Sequence, residues 1–460
     1  MIIFAETDAL TIFHYCFASK ININLSAMKS NKLFTIVMVL TLSITFLISS
    51  GCKKNNNTNT EIKYVTLGVI LPLDQEKGEL RENALRTAIN EINASGGVGN
   101  GYEIRLNIKS SQGTDREVAA SIAAQNIISE SLFLVGFITS FSSSSTGVVN
   151  DVGIPFHYPI IAGSATASSL SGISPYFQRL CAPDPTEANV LANQAVDYGI
   201  TDVAIAVEDG DAYSMELANA FQTAFGSGAS VMVNFSANDP DYGIKMDQLL
   251  INNPDGIFVS MLNPDVYNEF FTVLGSIYNS NKLANTTYIL CDGLYSSDFF
   301  QAPIDFILGD VNGHPGNFGA FPSADTASAE YIYFKDKLYQ EFDQEVASYN
   351  AQFYDIGYLY ALALEKTLNN IGVVSIDVFR EMVAENIRPV SNYSPGDSLV
   401  FPSLGWESIK TITQNYNIDY VGASGNCNID NEGNAITPYS VFKVKKQGDN
   451  YSFEIIKIIP

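Results

Sequence analysis

The chain has 460 residues, of which 25 are Lys or Arg and 49 are Asp or Glu, for a formal net charge of -24. So acidic a balance repels phosphate backbones and anionic headgroups, which argues against nucleic-acid binding and against adhesion to lipid through basic patches. With 46% hydrophobic and 12% aromatic residues the chain buries a large core, while three His leave almost no material for a His-based metal site or catalytic triad.

Residues 1–27 have no obvious place ahead of an ordinary signal peptide starting at Met28, and are expected to be a non-native upstream extension of the reading frame. Residues 33–49 read LFTIVMVLTLSITFLIS, preceded by the basic MKSNK and followed by Ser50, Gly51 and Cys52. A charged n-region, an apolar h-region and small residues before a cleavage point describe a signal peptide over 28–51. A Cys directly after the small residues resembles a bacterial lipoprotein signal, with Cys52 as the lipidated first residue of the mature chain. Ser49 departs from the Leu usual three positions before that Cys. A plain transmembrane anchor is the alternative, because the run is nearly long enough to span a bilayer. The KKNNNTNT that follows makes 52–60 a flexible tether.

From residue 61 strand and helix patterns alternate. Residues 63–73 form an apolar run rich in β-branched residues, as expected of a buried parallel strand. Residues 79–93 place Leu80, Ala84, Leu85, Ala88, Ile89 and Ile92 on one helical face, and Gly96-Gly97 stops that helix. A strand over 102–109, a helix over 117–128 and strands over 132–138 and 158–163 follow. After Asp184 the rhythm restarts, with strands over 202–207, 231–236 and 256–262 and helices between them, and TYILCDG (287–293) ends a further strand. Such βαβ runs imply parallel sheets covered on both faces, and two runs imply two doubly wound lobes.

Ligands of open α/β sheets sit beyond the C-terminal strand ends, so the loops there carry the functional reading. The first is DQEKG with Lys77. The third strand leads into TSFSSSST (139–146), whose hydroxyls and backbone N–H groups suit an anion, or merely cap a helix. Residues 158–163 lead into Ser164-Ala165-Thr166. EDGDAY ends at Tyr213, and Asp292 lies just past a strand end, where it is either a ligand-binding acid or a turn former before Gly293. The sequence has no G-x-S-x-G elbow, phosphate-binding P-loop or H-E-x-x-H, and GGVGNG precedes a strand instead of opening a helix. These absences argue against an enzyme, and no cofactor is implied. Cys181, Cys291 and Cys427 lack C-x-x-C spacing, so a zinc site is unsupported and no metal is expected.

Taken in order, AINEINASGGVGN, VGFITSFSSSST, IIAGSATASSL, VEDGDAYSMELA and ILCDG resemble the leucine/isoleucine/valine-binding protein family, solute-binding proteins of the type I periplasmic-binding fold that serve ABC importers. FYDIGYLYALALEK (353–366) and the ending IDNEGNAITPYSVFKVKKQGDNYSFEIIK are similar to that family's late helix and closing strands. The resemblance covers 61–460. It implies an α/β fold of two doubly wound parallel-sheet lobes joined by three crossovers. Lobe 1 would be 61–183 plus 319–422, and lobe 2 would be 184–318 plus 423–460. By the same resemblance Ser143, Ser164 and Thr166 would hold a ligand carboxylate. Tyr213 would supply an aromatic contact, and Asp292 would pair with a ligand ammonium.

The chain departs from the branched-chain pattern at Lys77, where an aromatic residue is usual, and a cation there would pair with an extra anionic group or point into solvent. The implied function is a lipid-anchored extracytoplasmic protein of the cell envelope that captures an amino acid or related amide and delivers it to an ABC transporter permease. A ligand-sensing receptor subunit on the same fold is the alternative. Cys181 and Cys427 both fall near proposed crossovers, which raises a bond between them against the plainer reading of buried free thiols.

Overall fold

The computed structural model describes residues 63–113, 115–278, 283–369, 371–435 and 437–459. The expected upstream extension, signal peptide, Cys52 anchor and tether lie outside the described residues. Among the described residues no helix is long and apolar enough to cross a membrane. Tyr64–Ile371 and Ile376–Pro460 form one compact unit, which holds both large sheets.

The first run opens with β1 (Lys63–Leu71), buried from Val65 onward. α1 (Glu76–Ala94) begins three residues before the expected start, so Lys77 belongs to its first turn and not to a loop. Its apolar face buries Ala84, Leu85, Ala88, Ile89 and Ile92, and Arg81 with them. The helix ends where Gly96 and Gly97 take φ of 91° and 65° and the Gly97 N–H reaches back to Ile92 O at 3.0 Å, a left-handed stop that side chains disfavour. β2 (Tyr102–Ser110), α2 (Arg116–Glu130), β3 (Leu134–Thr139), α3 (Ser142–Val148), β4 (Ile160–Ala162) and β5 (Phe177–Arg179) complete the run. The Asp115 carboxylate caps α2 by accepting the Val118 N–H at 3.1 Å. The five strands lie in the order β2-β1-β3-β4-β5, with β1–β3, β3–β4 and β4–β5 parallel.

The second run comprises α4 (Asp184–Asp197), β6 (Val203–Glu208), α5 (Ala212–Phe225), β7 (Val231–Phe235), α6 (Tyr242–Leu249), β8 (Gly256–Ser260), α7 (Pro264–Tyr278) and β9 (Thr287–Leu290). A short ribbon, β10 (Asp310–Val311) with β11 (His314–Pro315), precedes β12 (Asn317–Pro322). The chain then returns to pack beside the first sheet as α8 (Ala329–Phe342), α9 (Asn350–Asn369), α10 (Ile376–Ser391), β13 (Ser398–Val400), α11 (Trp406–Asn415), β14 (Ile418–Gly422) and β15 (Gly425–Asn426), the three strands forming a small sheet of their own. It ends as the antiparallel pair β16 (Tyr439–Gln447) and β17 (Asn450–Ile459). The second sheet therefore runs β17-β16-β12-β9-β8-β6-β7, parallel from β7 to β12 and antiparallel beyond.

This is the type I periplasmic-binding architecture, with two large sheets and a chain that passes between them three times. Two of the expected lobe boundaries move. The one at 318/319 falls inside β12, whose residues 317–319 pair with β9 in the second sheet. The one at 422/423 comes too early, because the Gly433 carbonyl accepts the Arg179 N–H at 2.8 Å and the Asn392 side chain bonds Ile429 in both directions. Residues 423–435 thus stay with the first sheet.

α9 carries the packing around that sheet. It is buried on nearly every side, so its sequence is apolar all round and lacks the one-sided stripe of a surface helix. The Tyr360 hydroxyl donates to Phe137 O and Pro159 O at 2.8 and 2.9 Å, over Gly136, where a Cβ would lie 2.8 Å from that hydroxyl. Asp355, fully buried, accepts from Tyr420 OH (2.7 Å), Ala423 N (2.8 Å), Ser424 N (2.7 Å) and Ser424 Oγ (2.6 Å), tying β14 and its following turn to α9. Trp406 at the start of α11 is 2% exposed and donates its indole N–H to Gly97 O at 3.0 Å.

Arg179 at the end of β5 is completely buried. Its Nε donates to Asn434 Oδ1 (2.7 Å), its Nη1 to Ala165 O (2.7 Å) and Ala167 O (2.8 Å), and its Nη2 to Ser171 Oγ (2.6 Å). The Cys181–Cys427 bond is overturned, as Cys181, Cys291 and Cys427 are all buried free thiols. Cys181 Sγ faces Ala165 O at 3.5 Å, whereas Cys427 Sγ sits beside Ser424 and Asp355.

Candidate functional site

The loops beyond the C-terminal strand ends of both sheets border one cavity of about 260 Å³. From the first sheet come Lys77 and Arg81 on α1, Phe141 and Ser143 after β3, and Ser164 after β4. From the second come Tyr213 on α5 and Asp292 after β9, and the turn before α9 adds Tyr349.

The serine loop is internally bonded. Thr139 and Ser145 share a hydroxyl contact at 2.8 Å, and Ser142 Oγ accepts the Ala167 N–H at 3.0 Å, which fastens the β3 loop to the β4 loop. Ser164 Oγ donates to Ser140 O at 3.1 Å. Arg81 Nη1 donates to Ser140 Oγ at 2.6 Å. The remainder of the Arg81 guanidinium meets rings, with Phe141, Tyr349 and Phe353 centroids at 5.3, 5.4 and 5.7 Å, and its buried Nε has no hydrogen-bond partner. Each ring face returns about 0.5–2 kcal/mol, against several kcal/mol for desolvating the cation. Burial accordingly pulls the Arg81 pKa down to about 10. Half-buried Lys77, one turn earlier, is pulled down to about 8, by burial first and the Arg81 charge next.

On the opposite side, Asp211 caps α5 by accepting from Ser214 N and Oγ, both at 2.8 Å, which orients Tyr213. The Tyr213 hydroxyl donates to Asp292 Oδ1 and accepts the Gly293 N–H at 3.2 Å. Tyr349, held at the left-handed φ of 65°, donates its hydroxyl to Asp292 Oδ2. A bulky residue at that φ is strained, and such strain clusters at functional sites. Behind Asp292, Glu187 Oε1 accepts the Asp292 backbone N–H at 2.8 Å. Burial, then the Asp292 charge, pushes the Glu187 carboxyl well above its usual range. Asp184 is likewise pushed well up by burial, opposed by the Thr166 hydroxyl beside it.

Of the residues singled out from the sequence, Lys77, Ser143, Ser164, Tyr213 and Asp292 line the cavity together. Thr166 does not: it is 1% exposed, its hydroxyl lies beside the Asp184 carboxylate, and its carbonyl accepts the Asp184 N–H at 2.8 Å behind the loop. Cys52 lies outside the described residues. Sequence reading missed Arg81, Tyr349 and Glu187. Arg81 did leave a signal, since it falls four residues after Lys77 and four before Leu85, on the apolar stripe where a cation is out of place. Among the described residues no group of three or more His, Cys, Asp or Glu is disposed to hold a metal.

The family model described as receptor family ligand binding region matches residues 80–447. The chain belongs to that family. This ligand binding region is 26% identical over 257 residues to the Leu/Ile/Val-binding protein BraC3 of Rhizobium johnstonii, a match spanning 54% of this chain and 66% of that one. The chain thus covers slightly less than two thirds of that relative's length. Among solved structures, the leucine binding protein LivK of Thermotoga maritima superposes with a TM-score of 0.66 at 20% identity, covering 86% of this chain and 98% of its own. A solute binding protein of R. palustris in complex with 4-hydroxybenzoate superposes with a TM-score of 0.64 at 16% identity, covering 86% and 97%. Both share the fold of this ligand binding region.

Proposed function

We propose that this chain is a lipid-anchored extracytoplasmic solute-binding protein, not an enzyme, which encloses a small carboxylate-bearing, amino-acid-like solute and hands it to an ABC importer. One observation carries the reading: strand-end loops of two separate sheets converge on a single cavity, each contributing polar groups. A solute touching Ser143, Ser164 and Arg81 on one side and Tyr213 and Asp292 on the other gains all of these contacts only when the two sides are close. Its binding therefore favours a closed arrangement by the difference. The relatives' names support transport of small solutes. The ligands named for the solved structures differ, so the fold leaves the choice to the side chains lining the cavity.

The test is thermal unfolding and calorimetry of the purified chain against amino acids, amides, small carboxylates and peptides. A solute at 100 to 1,000 times its Kd adds about 2.7–4 kcal/mol of stability. Asp292→Ala should weaken binding by more than about tenfold while the protein stays folded. Unchanged affinity would remove Asp292 from the site.

A further inference from the structure

We infer that the solute carries a net negative charge, with its anionic group seated on Arg81 and Lys77. The inference rests on the reading of this cavity as the solute site and narrows what enters it.

Arg81 is 4% exposed and its Nε is unbonded, yet among the described residues it forms no ion pair. Lys77 stands beside it with its Nζ 5.4 Å from the Phe141 centroid, and forms no hydrogen bond or ion pair among the described residues. The acids lining the cavity are already engaged, and Asp298, outside the lining, attracts Lys77 without forming an ion pair. Asp292 accepts a phenol hydroxyl on each oxygen, Asp211 is occupied in capping α5, and exposed Glu76 accepts from Ser297 Oγ. The unmet demand is therefore on the cationic side. Two neighbouring cations also disfavour each other, so an anion between them relieves a repulsion that a neutral ligand leaves in place. The planar guanidinium suits a carboxylate, which accepts charge-assisted bonds from it. A zwitterion with a neutral side chain brings one negative group to the two unpaired cations, Arg81 and Lys77, and carries its ammonium with it. An acidic amino acid, a dicarboxylate and an aromatic carboxylate all meet the requirement.

The experiment is calorimetry of the purified chain with four probes: leucine, glutamate, succinate and benzoate. At least one of the last three should bind about tenfold or more tightly than leucine, and the best of them identifies the source of the charge. Arg81→Met should weaken that probe by about 30-fold or more, whereas Arg81→Lys, which keeps the charge but loses the planar fork, should fall between Arg81→Met and the wild type. Lys77→Met, at the half-buried rim where folding is not at stake, should weaken it by about tenfold, and added salt should reduce the wild-type affinity. Leucine binding as tightly as every anion, with an affinity indifferent to Arg81→Met and Lys77→Met, would overturn the inference and leave the solute-binding reading standing. Binding of no probe, and of no solute in the wider thermal survey, would overturn both.

Discussion

Arg179 and Arg81 are both buried on the first-sheet side of the molecule, but their surroundings differ. Arg179 spends its guanidinium on two carbonyls, an amide and a hydroxyl, and in doing so clasps residue 434 against β5. Arg81 has one hydroxyl, three ring faces and an idle Nε at the wall of a cavity. A buried cation that is fully bonded belongs to the architecture. One left short of partners beside an empty space is prepared for something that arrives later.

The largest effect expected from this contrast is on folding. Arg179→Met leaves several buried acceptors unpaired and should cost about 3–5 kcal/mol, or prevent folding outright, in urea unfolding. Arg81→Met removes an incompletely bonded charge and should change stability by about 1 kcal/mol or less, in either direction, in the same measurement. Equal losses from the two substitutions would break the comparison.

The acids show a parallel pair. Asp355 is surrounded by four donors and its pKa is raised to about 6, with burial the largest cause and the donors opposing it. Asp184 has at most the Thr166 hydroxyl opposing burial and is raised well above its usual value. In both cases the folded state holds its proton to higher pH than the unfolded chain does. Their stabilising contribution is complete below the unfolded pKa near 4 and is lost as pH rises through the folded value. For Asp355 that loss is on the order of 2–3 kcal/mol between pH 4 and pH 7. The melting temperature of the solute-free protein should therefore be higher at pH 5 than at pH 7.5, and Glu187→Gln, which removes another raised acid, should flatten the difference. A melting temperature that rises with pH over that range would contradict the burial of these groups.

The smallest expected effect is on affinity at alkaline pH. With Lys77 pulled down to about 8, an anionic solute should bind progressively less well as pH passes from 7.5 to 9. Lys77→Met should abolish that slope in calorimetry.

The strands were readable because buried parallel strands are continuous apolar runs: β1, β3, β6 and β8 all stand out as such. The strand-end loops followed from the sheet class, and within them the family resemblance pointed to Ser143, Ser164, Tyr213 and Asp292 and to Lys77 as a departure. Thr166 shows the limit of that logic, since two residues along an irregular loop separate a cavity wall from the layer behind it. Tyr349 left no local trace, because its role depends on a positive φ and a partner 57 residues away in the chain. Lobe boundaries taken from resemblance missed where strand pairing ends, and the residues around β12 and 423–435 give no compositional break there.

Trp406 is the single tryptophan of the chain. Its indole sits dry against Gly97 and the Tyr358 ring, and it is not among the residues lining the cavity. The protein thus carries a fluorophore on one side of its architecture. Its emission will follow the melting of α11 from the end of α1 and stay dark to the arrival of a solute, so optical detection of closure needs a dye attached at the cavity rim, for which Ser297 offers an exposed position.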